Sequence, residues 1–411
     1  MITKNSYFFN NIIIFIVFNF ANFAQFLFQV IIIRSLNFSD YAIFSSLNAL
    51  MGILLIPSTA IIFGISSLLN EDNEIDLNKY FKLINSIFPI IFVIILLVFL
   101  SKNFILNYLN IENANKAFQL MLSSSFFTYL LTLILAFFNT YRKHFLFSLF
   151  STIPFYVKFI IALLFILIFG NLETEDIFFS ITASSLIGIL ACLLYIFFFQ
   201  KINIFNKYQF NFSYSLTLFK KIFFNIINAL VINFFIFYDS LVIKHILEAE
   251  LAGKYLVVLT ILKISFFIIA MLPSIIYPEL SNINVKNYNK FWLTFFLSLF
   301  LQLVALLSLF FVSPFVLPII FNFHDINLFQ NFMSKYFLVI IFLNLILLIN
   351  SLLISRQKFY VIFFQVFIII ISFGIIEFSV TNISSFIYTF NIISALVLFI
   401  SFFGLYKIIK R

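Results

Sequence analysis

The sequence predicts an all-α integral membrane protein with about twelve transmembrane helices, in two parallel-repeat six-helix lobes around a central cavity. The prediction rests on composition, on long apolar runs and on marks that recur in both halves. Apolar residues make up 64% of the 411 residues and charged residues only 9%, and the mean hydropathy is +1.17. A soluble domain has about 25% charged residues, so this chain lacks the residues for a fully hydrated surface.

The apolar runs have the length of membrane-spanning helices. Most approach or exceed the roughly 20 residues needed to cross ~30 Å of hydrocarbon, whereas a β-barrel would show alternating segments of about ten residues. The runs cover residues 7–33, 41–69, 83–100, 118–140, 145–169, 177–199, 222–243, 253–277, 292–320, 335–355, 359–376 and 384–406. We expect the first run to be retained as a span, because no A-x-A-like cleavage site follows it.

The longest polar connection, residues 200–221, divides the runs six and six. We therefore predict an N-terminal lobe of residues 1–199, a cytoplasmic linker of residues 200–221 and a C-terminal lobe of residues 222–411. No stretch outside the runs is long enough to fold as a soluble domain.

The basic residues predict the orientation. With the N-terminus inside, cytoplasmic segments hold sixteen Lys and Arg residues and the opposite side holds six. This asymmetry satisfies the positive-inside rule. An even number of spans requires both termini to share a side, so we predict a multi-pass membrane protein with both termini in the cytoplasm.

The two halves carry the same marks in the same order. Tyr41 opens the second run and Arg142 follows the fourth, 101 residues later; Tyr255 and Arg356 bracket the corresponding runs of the second half at the same spacing. Because six spans return the chain to its starting side, duplicated six-span units have the same orientation, which is a parallel repeat.

Two lysines lie deep inside apolar runs. Lys158 lies about 13 residues, or ~20 Å, into the fifth run, and Lys263 about ten residues, or ~15 Å, into the eighth. A charge at this depth is expensive and indicates function. Two such cations facing a shared cleft would bind an anionic group such as a phosphate. The alternative is that each lysine bonds to helix carbonyls or pairs with an internal carboxylate.

Asp239 is the carboxylate inside the seventh run, and Asn225 and Asn228 share its helical face at this spacing. In a low-dielectric cavity such a carboxylate suits proton or Na⁺ coupling. An ion pair with Lys244 near the outer interface is the alternative.

The first predicted helix has one polar stripe. Asn19, Asn22, Gln25 and Gln29 span an arc of about 120° at 100° per residue. Such a stripe must face protein or a water-filled cavity, because lipid offers no hydrogen bonds. Asn22, Gln25, Gln29 and the nearby Arg34 are therefore candidate substrate-binding residues, although hydrogen bonds between helices explain the stripe equally well.

The residue patterns expected of an enzyme or a metal site are missing from the sequence. The three histidines, His144, His245 and His324, have no companion ligands at metal spacing. The single Cys192 gives neither a disulfide nor a cysteine metal site, and no Gly-rich phosphate loop occurs. The net charge of +9 follows from membrane topology. We therefore expect no cofactor, no catalysis and no nucleic-acid partner.

Short motifs in both halves resemble the polysaccharide-transporter (Wzx-type, O-antigen) flippases, which belong to the superfamily of the MATE exporters and lipid II flippases. The resemblance lies in Arg34-Ser35-Leu36 with Asp40-Tyr41, in the stretch from Tyr238-Asp239-Ser240 to Lys254-Tyr255, and in Pro273-Ser274 through Ser281. It implies two six-helix lobes around a cavity that opens to alternate faces. It also implies a location in the bacterial inner membrane and an undecaprenyl-pyrophosphate-linked oligosaccharide as cargo. The implied partners are membrane lipid, a polysaccharide polymerase and a chain-length regulator.

Three other functions stay open. A MATE-type, ion-coupled exporter of cationic drugs needs acidic groups in the cavity, for which Asp239 is the candidate. A polysaccharide polymerase usually needs a large periplasmic loop, whereas the longest loop here is cytoplasmic. A structural scaffold needs neither midplane charges nor a repeat. The two lysines favour the flippase.

Overall fold

The fold is described from a computed structural model, which covers residues 4–58, 60–62, 65, 77–141, 143–200, 223, 225–269, 289–356 and 358–410. All regular secondary structure in these ranges is helical. Arg142, residues 201–221 of the predicted linker, and the Pro273–Ser281 motif lie outside the described residues.

The helices are numbered α1 to α13 in chain order. The seven of the first half are α1 (Lys4–Ser35), α2 (Phe38–Leu54), α3 (Leu77–Leu100), α4 (Lys102–Tyr108), α5 (Asn115–Thr140), α6 (His144–Phe169) and α7 (Thr174–Gln200). The six of the second half are α8 (Asn225–Ile246), α9 (Ala249–Ile269), α10 (Asn289–Phe321), α11 (Ile326–Ser355), α12 (Phe359–Ser379) and α13 (Ile383–Ile409).

Within the described residues, eleven helices are long and apolar enough to cross a membrane. The predicted class, an all-α multi-pass membrane protein, is confirmed. The eighth predicted span, residues 253–277, is described only as far as Ile269, as α9. The tenth predicted span corresponds to α11, which begins at Ile326, nine residues before the predicted start. The seven-residue helix α4 was not predicted.

The chain divides into two compact units. Unit 1 comprises Met1–Asp40 and Leu54–Phe223, and unit 2 comprises Tyr41–Ile53 and Phe224–Arg411. Residues of α2 therefore fall in both units. The division into lobes 1–199 and 222–411 and their relation by a parallel repeat stay predictions.

Unit 1 is organised around α5, whose apolar window is 61% buried. This helix packs against α3, α6 and α7, and α1 packs along α6. Small polar residues let α5 and α7 approach closely: Ser124 Oγ lies 2.6 Å from Thr182 Oγ1, and both side chains are buried. By contrast, only 11% of the apolar window of α6 is buried within the protein, as expected of a helix with a broad lipid-facing surface.

Unit 2 is organised around α11, which packs against α9, α10, α12 and α13. Its apolar window is 67% buried, against 17% for α10. The buried polar residues Asn344 and Asn350 lie on this helix. The last helix, α13, begins with a capping box in which the Asn382 side chain accepts from the Ser385 N–H.

Candidate functional site

The polar stripe of α1 lies at the edge of the buried face of that helix. Ala21, Ala24 and Phe28 are buried in unit 1, whereas Asn22 is exposed and Gln25 and Gln29 are half-buried. The Gln25 Oε1 atom is buried, and it has no hydrogen-bond partner among the described residues. Arg34, one turn beyond the stripe, is exposed at the end of α1.

Lys158 lies on α6 where this helix packs against α1. Its Nζ lies 5.0 Å from the centroid of the Phe28 ring and 4.9 Å from that of the Phe155 ring. Aromatic faces attract a cation, but they cannot neutralise it. Within the described part of the chain, these two rings are the contacts that Lys158 Nζ makes. Unit 1 thus holds a mid-helix ammonium whose described contacts are two rings.

Lys263 has a different environment in unit 2. Its Nζ donates at 2.7 Å to Asp239 Oδ1 and also donates to the Ile236 carbonyl, and it lies 3.5 Å from Ser240 Oγ. Asp239 is fully buried, so this is a buried salt bridge. A buried pair is favourable only when further hydrogen bonds satisfy its remaining polar atoms.

Tyr336 of α11 completes this cluster. Its hydroxyl donates at 2.6 Å to Asp239 Oδ2, and the backbone N–H of Ser240 donates at 2.7 Å to Oδ1. Both carboxylate oxygens therefore accept hydrogen bonds, and the carboxylate is fixed in orientation. The cation faces Oδ1 and the phenol faces Oδ2.

A π-helical segment, Phe234–Tyr238, immediately precedes Asp239. Beside this segment, the N–H of Ser240 donates to the Asp239 side chain, and the Ile236 carbonyl accepts from Lys263. Short π segments occur frequently at functional sites.

The structure gives the two candidate lysines different surroundings. They lie in different units, and Lys263 is paired with a carboxylate while Lys158 has aromatic contacts only. The alternative partner predicted for Asp239, Lys244, was wrong, since Asp239 pairs with Lys263. Asn228 and Asp239 both contact α11, through Asn350 and Tyr336 respectively, while Asn225 is exposed.

Sequence reasoning missed Tyr336 and two groups of buried amides. The reciprocal pair Asn350–Gln365, with both N···O distances 2.9 Å, links α11 to α12, and Gln365 also donates to Ser401 of α13. The second group joins Ser265, Gln302 and Asn344 across α9, α10 and α11. Each amide interrupts an apolar run, which is the signal that singled out the stripe of α1. These contacts are interhelical hydrogen bonds.

No protein-family model and no curated protein matches the chain. Several solved structures share its fold. The lipid II flippase MurJ in its inward closed conformation is 15% identical, with a TM-score of 0.72, over 97% of this chain and 88% of MurJ. A multidrug resistance MATE family transporter in its inward-facing conformation is 11% identical, with a TM-score of 0.73, over 94% of this chain and 95% of the transporter.

A third similar structure is a MOP superfamily transporter from Pyrococcus furiosus. It is 10% identical, with a TM-score of 0.56, over 98% of this chain and 95% of the transporter. At these identities the likeness concerns the course of the backbone. The chain therefore has the fold of the MOP superfamily transporters.

Proposed function

We propose that the protein is a flippase that moves an undecaprenyl-pyrophosphate-linked oligosaccharide across the bacterial inner membrane for surface polysaccharide (O-antigen or capsule) assembly. Transport would proceed by alternating access, with both termini in the cytoplasm. A polysaccharide polymerase and a chain-length regulator would act on the delivered unit. The proposal is supported by a fold shared with a lipid II flippase and by the Wzx-type motifs in the sequence.

The observation that carries the proposal is Lys158. An uncompensated cation at the centre of a membrane helix costs about 2.5–3.5 kcal/mol. The rings of Phe28 and Phe155 offset only part of this cost. An anionic pyrophosphate that reaches Lys158 would neutralise it, and opening to water would then release the anion.

The other predicted residues take secondary roles in this proposal. The stripe of Asn22, Gln25 and Gln29 would hydrogen-bond the cargo, because Gln25 has a buried oxygen with no described partner. Arg34 would attract the anion at the end of α1. Lys263 stays a weaker candidate for cargo binding, since its ammonium is engaged by Asp239. Asp239 is likewise a weaker candidate for ion coupling, since its carboxylate is engaged by Lys263.

The test replaces Lys158 with Ala, Met and Arg in a strain that lacks the chromosomal copy of the gene. At matched protein levels, Lys158→Ala and Lys158→Met should abolish surface glycan, and the lipid-linked unit should accumulate inside. Lys158→Arg should retain part of the activity, because the charge remains while the geometry changes. Immunoblots of surface glycan and mass spectrometry of extracted lipids provide the readouts.

A matched control is Lys407→Ala. Lys407 also lies over two rings, at 4.4 Å from Phe403 and 5.4 Å from Tyr360, but it is exposed near the end of α13. Its loss should leave glycan display unchanged. Lys158→Met should also keep or raise the Tm of the purified protein, because an unpaired charge is removed. Normal glycan display by Lys158→Ala would contradict the proposal.

The drug-exporter alternative is supported by the fold shared with a MATE transporter. A cationic drug would need a free carboxylate within the membrane, and Asp239 already pairs with Lys263. Unchanged surface glycan in a deletion strain that becomes sensitive to ethidium would favour export over flipping.

A further inference from the structure

We infer that the Lys263 ammonium is a built-in cation, which occupies a site whose oxygen atoms would otherwise bind a monovalent metal ion such as Na⁺. Unit 2 therefore binds no inorganic cation at this place while Lys263 is present. The inference concerns a site of its own within unit 2 and does not depend on the cargo proposed above.

The atoms around Lys263 Nζ are the ligands that a hard cation prefers. They are a carboxylate oxygen of Asp239, the carbonyl oxygen of Ile236 and the hydroxyl oxygen of Ser240. Carboxylates, carbonyls and water suit hard metal ions. The single carboxylate balances one positive charge, so the site matches a monovalent cation.

The cluster is oriented before any ion arrives. Tyr336 holds Asp239 Oδ2 and the Ser240 N–H holds Oδ1, so the carboxylate cannot rotate without breaking both bonds. The Ile236 carbonyl belongs to the π-helical segment and points at the ammonium. If Lys263 served only to fill space, an apolar side chain would do so without a desolvation cost.

The consequence concerns how transport is driven. A Na⁺-coupled carrier must fill and empty its ion site in each cycle, whereas an ammonium on a side chain stays with the protein. Unit 2 keeps its charge balance without taking Na⁺ from either side of the membrane. The wild-type protein should thus be indifferent to Na⁺ at this site.

The test compares Lys263→Ala, Lys263→Met and the wild type, purified in detergent, with NaCl exchanged for choline chloride at constant ionic strength. Alanine leaves room for Na⁺ with water ligands, whereas methionine fills the same space. We expect NaCl to raise the Tm of Lys263→Ala in a saturable way, by on the order of 5 °C. The wild type and Lys263→Met should show no difference between NaCl and choline chloride.

A double variant identifies the ligand responsible for the effect. Asp239→Asn in the Lys263→Ala background should abolish the response to NaCl, because the carboxylate is the main ligand. Equal Tm values for Lys263→Ala in NaCl and choline chloride would overturn the inference.

The wild-type arm decides the question even if Lys263→Ala does not fold. Binding of ²²Na⁺ to the wild type with a stoichiometry near one, lost in Asp239→Asn, would show that Lys263 leaves the site to metal ions and would refute the inference. Absence of such binding supports it.

Discussion

The two intramembrane lysines show, at the residue scale, that local partners determine the role of a buried charge. Lys263 is compensated by a carboxylate, a carbonyl and a hydroxyl, so it contributes to the structure of unit 2 as an ion pair. Lys158 has two aromatic rings instead. The proposed function rests on Lys158 because its contacts among the described residues are these two rings.

Replacement of Tyr336 tests how much the hydrogen bond to Asp239 Oδ2 contributes to stability. Tyr336→Phe removes the hydrogen bond to Asp239 Oδ2 and leaves that oxygen unsatisfied in a site with no exposure to solvent. A hydrogen bond to a charged group contributes about 1.5–3 kcal/mol. The variant should therefore lower the Tm of the purified protein by several degrees.

The matched control is Tyr388→Phe on α13. Tyr388 is 70% exposed, so removal of its hydroxyl should leave the Tm unchanged. Equal Tm losses in the two variants would mean that the bond to Asp239 makes no specific contribution to stability.

The sequence identified the charged members of this cluster but not how they pair. Asp239 and Lys263 stand out because they interrupt apolar runs. Their pairing depends on which face each helix turns to its neighbour and on the π-helical segment, which has no clear sequence signal. Tyr336 was missed because a tyrosine within an apolar run also fits a lipid-facing or membrane-interface position.

At the element scale, helix existence followed directly from run length, while helix boundaries did not. The tenth run predicts a helix start at Lys335, but α11 begins at Ile326 and continues through that lysine. Lys335 is exposed, and a long, exposed lysine side chain is compatible with a continuous helix. A seven-residue helix such as α4 gives no run long enough to detect.

Substitution of Gly404 tests how closely α13 packs against α11 and α12 in unit 2. A Cβ atom at this position on α13 would lie 2.8 Å from a methyl carbon of Val361 and 2.9 Å from one of Leu353. Both side chains are buried and belong to α12 and α11. Gly404→Ala should destabilise the protein by about 1–3 kcal/mol through overpacking, measured as a lower Tm in detergent.

Gly374→Ala on α12 provides the matched control. No atom lies within 4 Å of a Cβ built there, so the helix should gain up to about 1 kcal/mol from the better helix former. If Gly404→Ala were as stable as Gly374→Ala, the three helices would pack less closely than the structure shows.

At the scale of the whole molecule, composition and run length were sufficient for the fold class. A chain with 64% apolar residues and eleven described helices of spanning length has few alternatives to a helical membrane bundle. The likeness to MurJ at 15% identity shows that the backbone course tolerates nearly complete replacement of side chains. The proposed function depends on a few side chains such as Lys158, which the sequence alone identifies as costly charges.

The distribution of charge predicts the topology of the whole chain. The sixteen basic residues assigned to the cytoplasm are Lys4, Lys79, Lys82, Arg142, Lys143, Lys201, Lys207, Lys220, Lys221, Lys286, Lys290, Arg356, Lys358, Lys407, Lys410 and Arg411. The six assigned to the opposite side are Arg34, Lys102, Lys116, Lys244, Lys254 and Lys335. Lys and Arg are retained on the cytoplasmic side during insertion, so both termini should be cytoplasmic.

Reporter fusions measure this prediction directly. Fusions after Lys220 and at the C-terminus should show cytoplasmic reporter activity, and a fusion at Asn171 should show activity on the far side. Asn171 is a suitable insertion point, because α6 ends at Phe169, the following Gly170 has a left-handed φ of 79°, and Gly170 and Asn171 are exposed. Each fusion point should be tested with two reporters: alkaline phosphatase, which is active outside, and green fluorescent protein, which fluoresces inside. An external C-terminus combined with a cytoplasmic reporter after Lys220 would require an odd number of spans between the two points and would contradict the twelve-span topology. An inverted result at all three points would preserve the count and reverse the orientation.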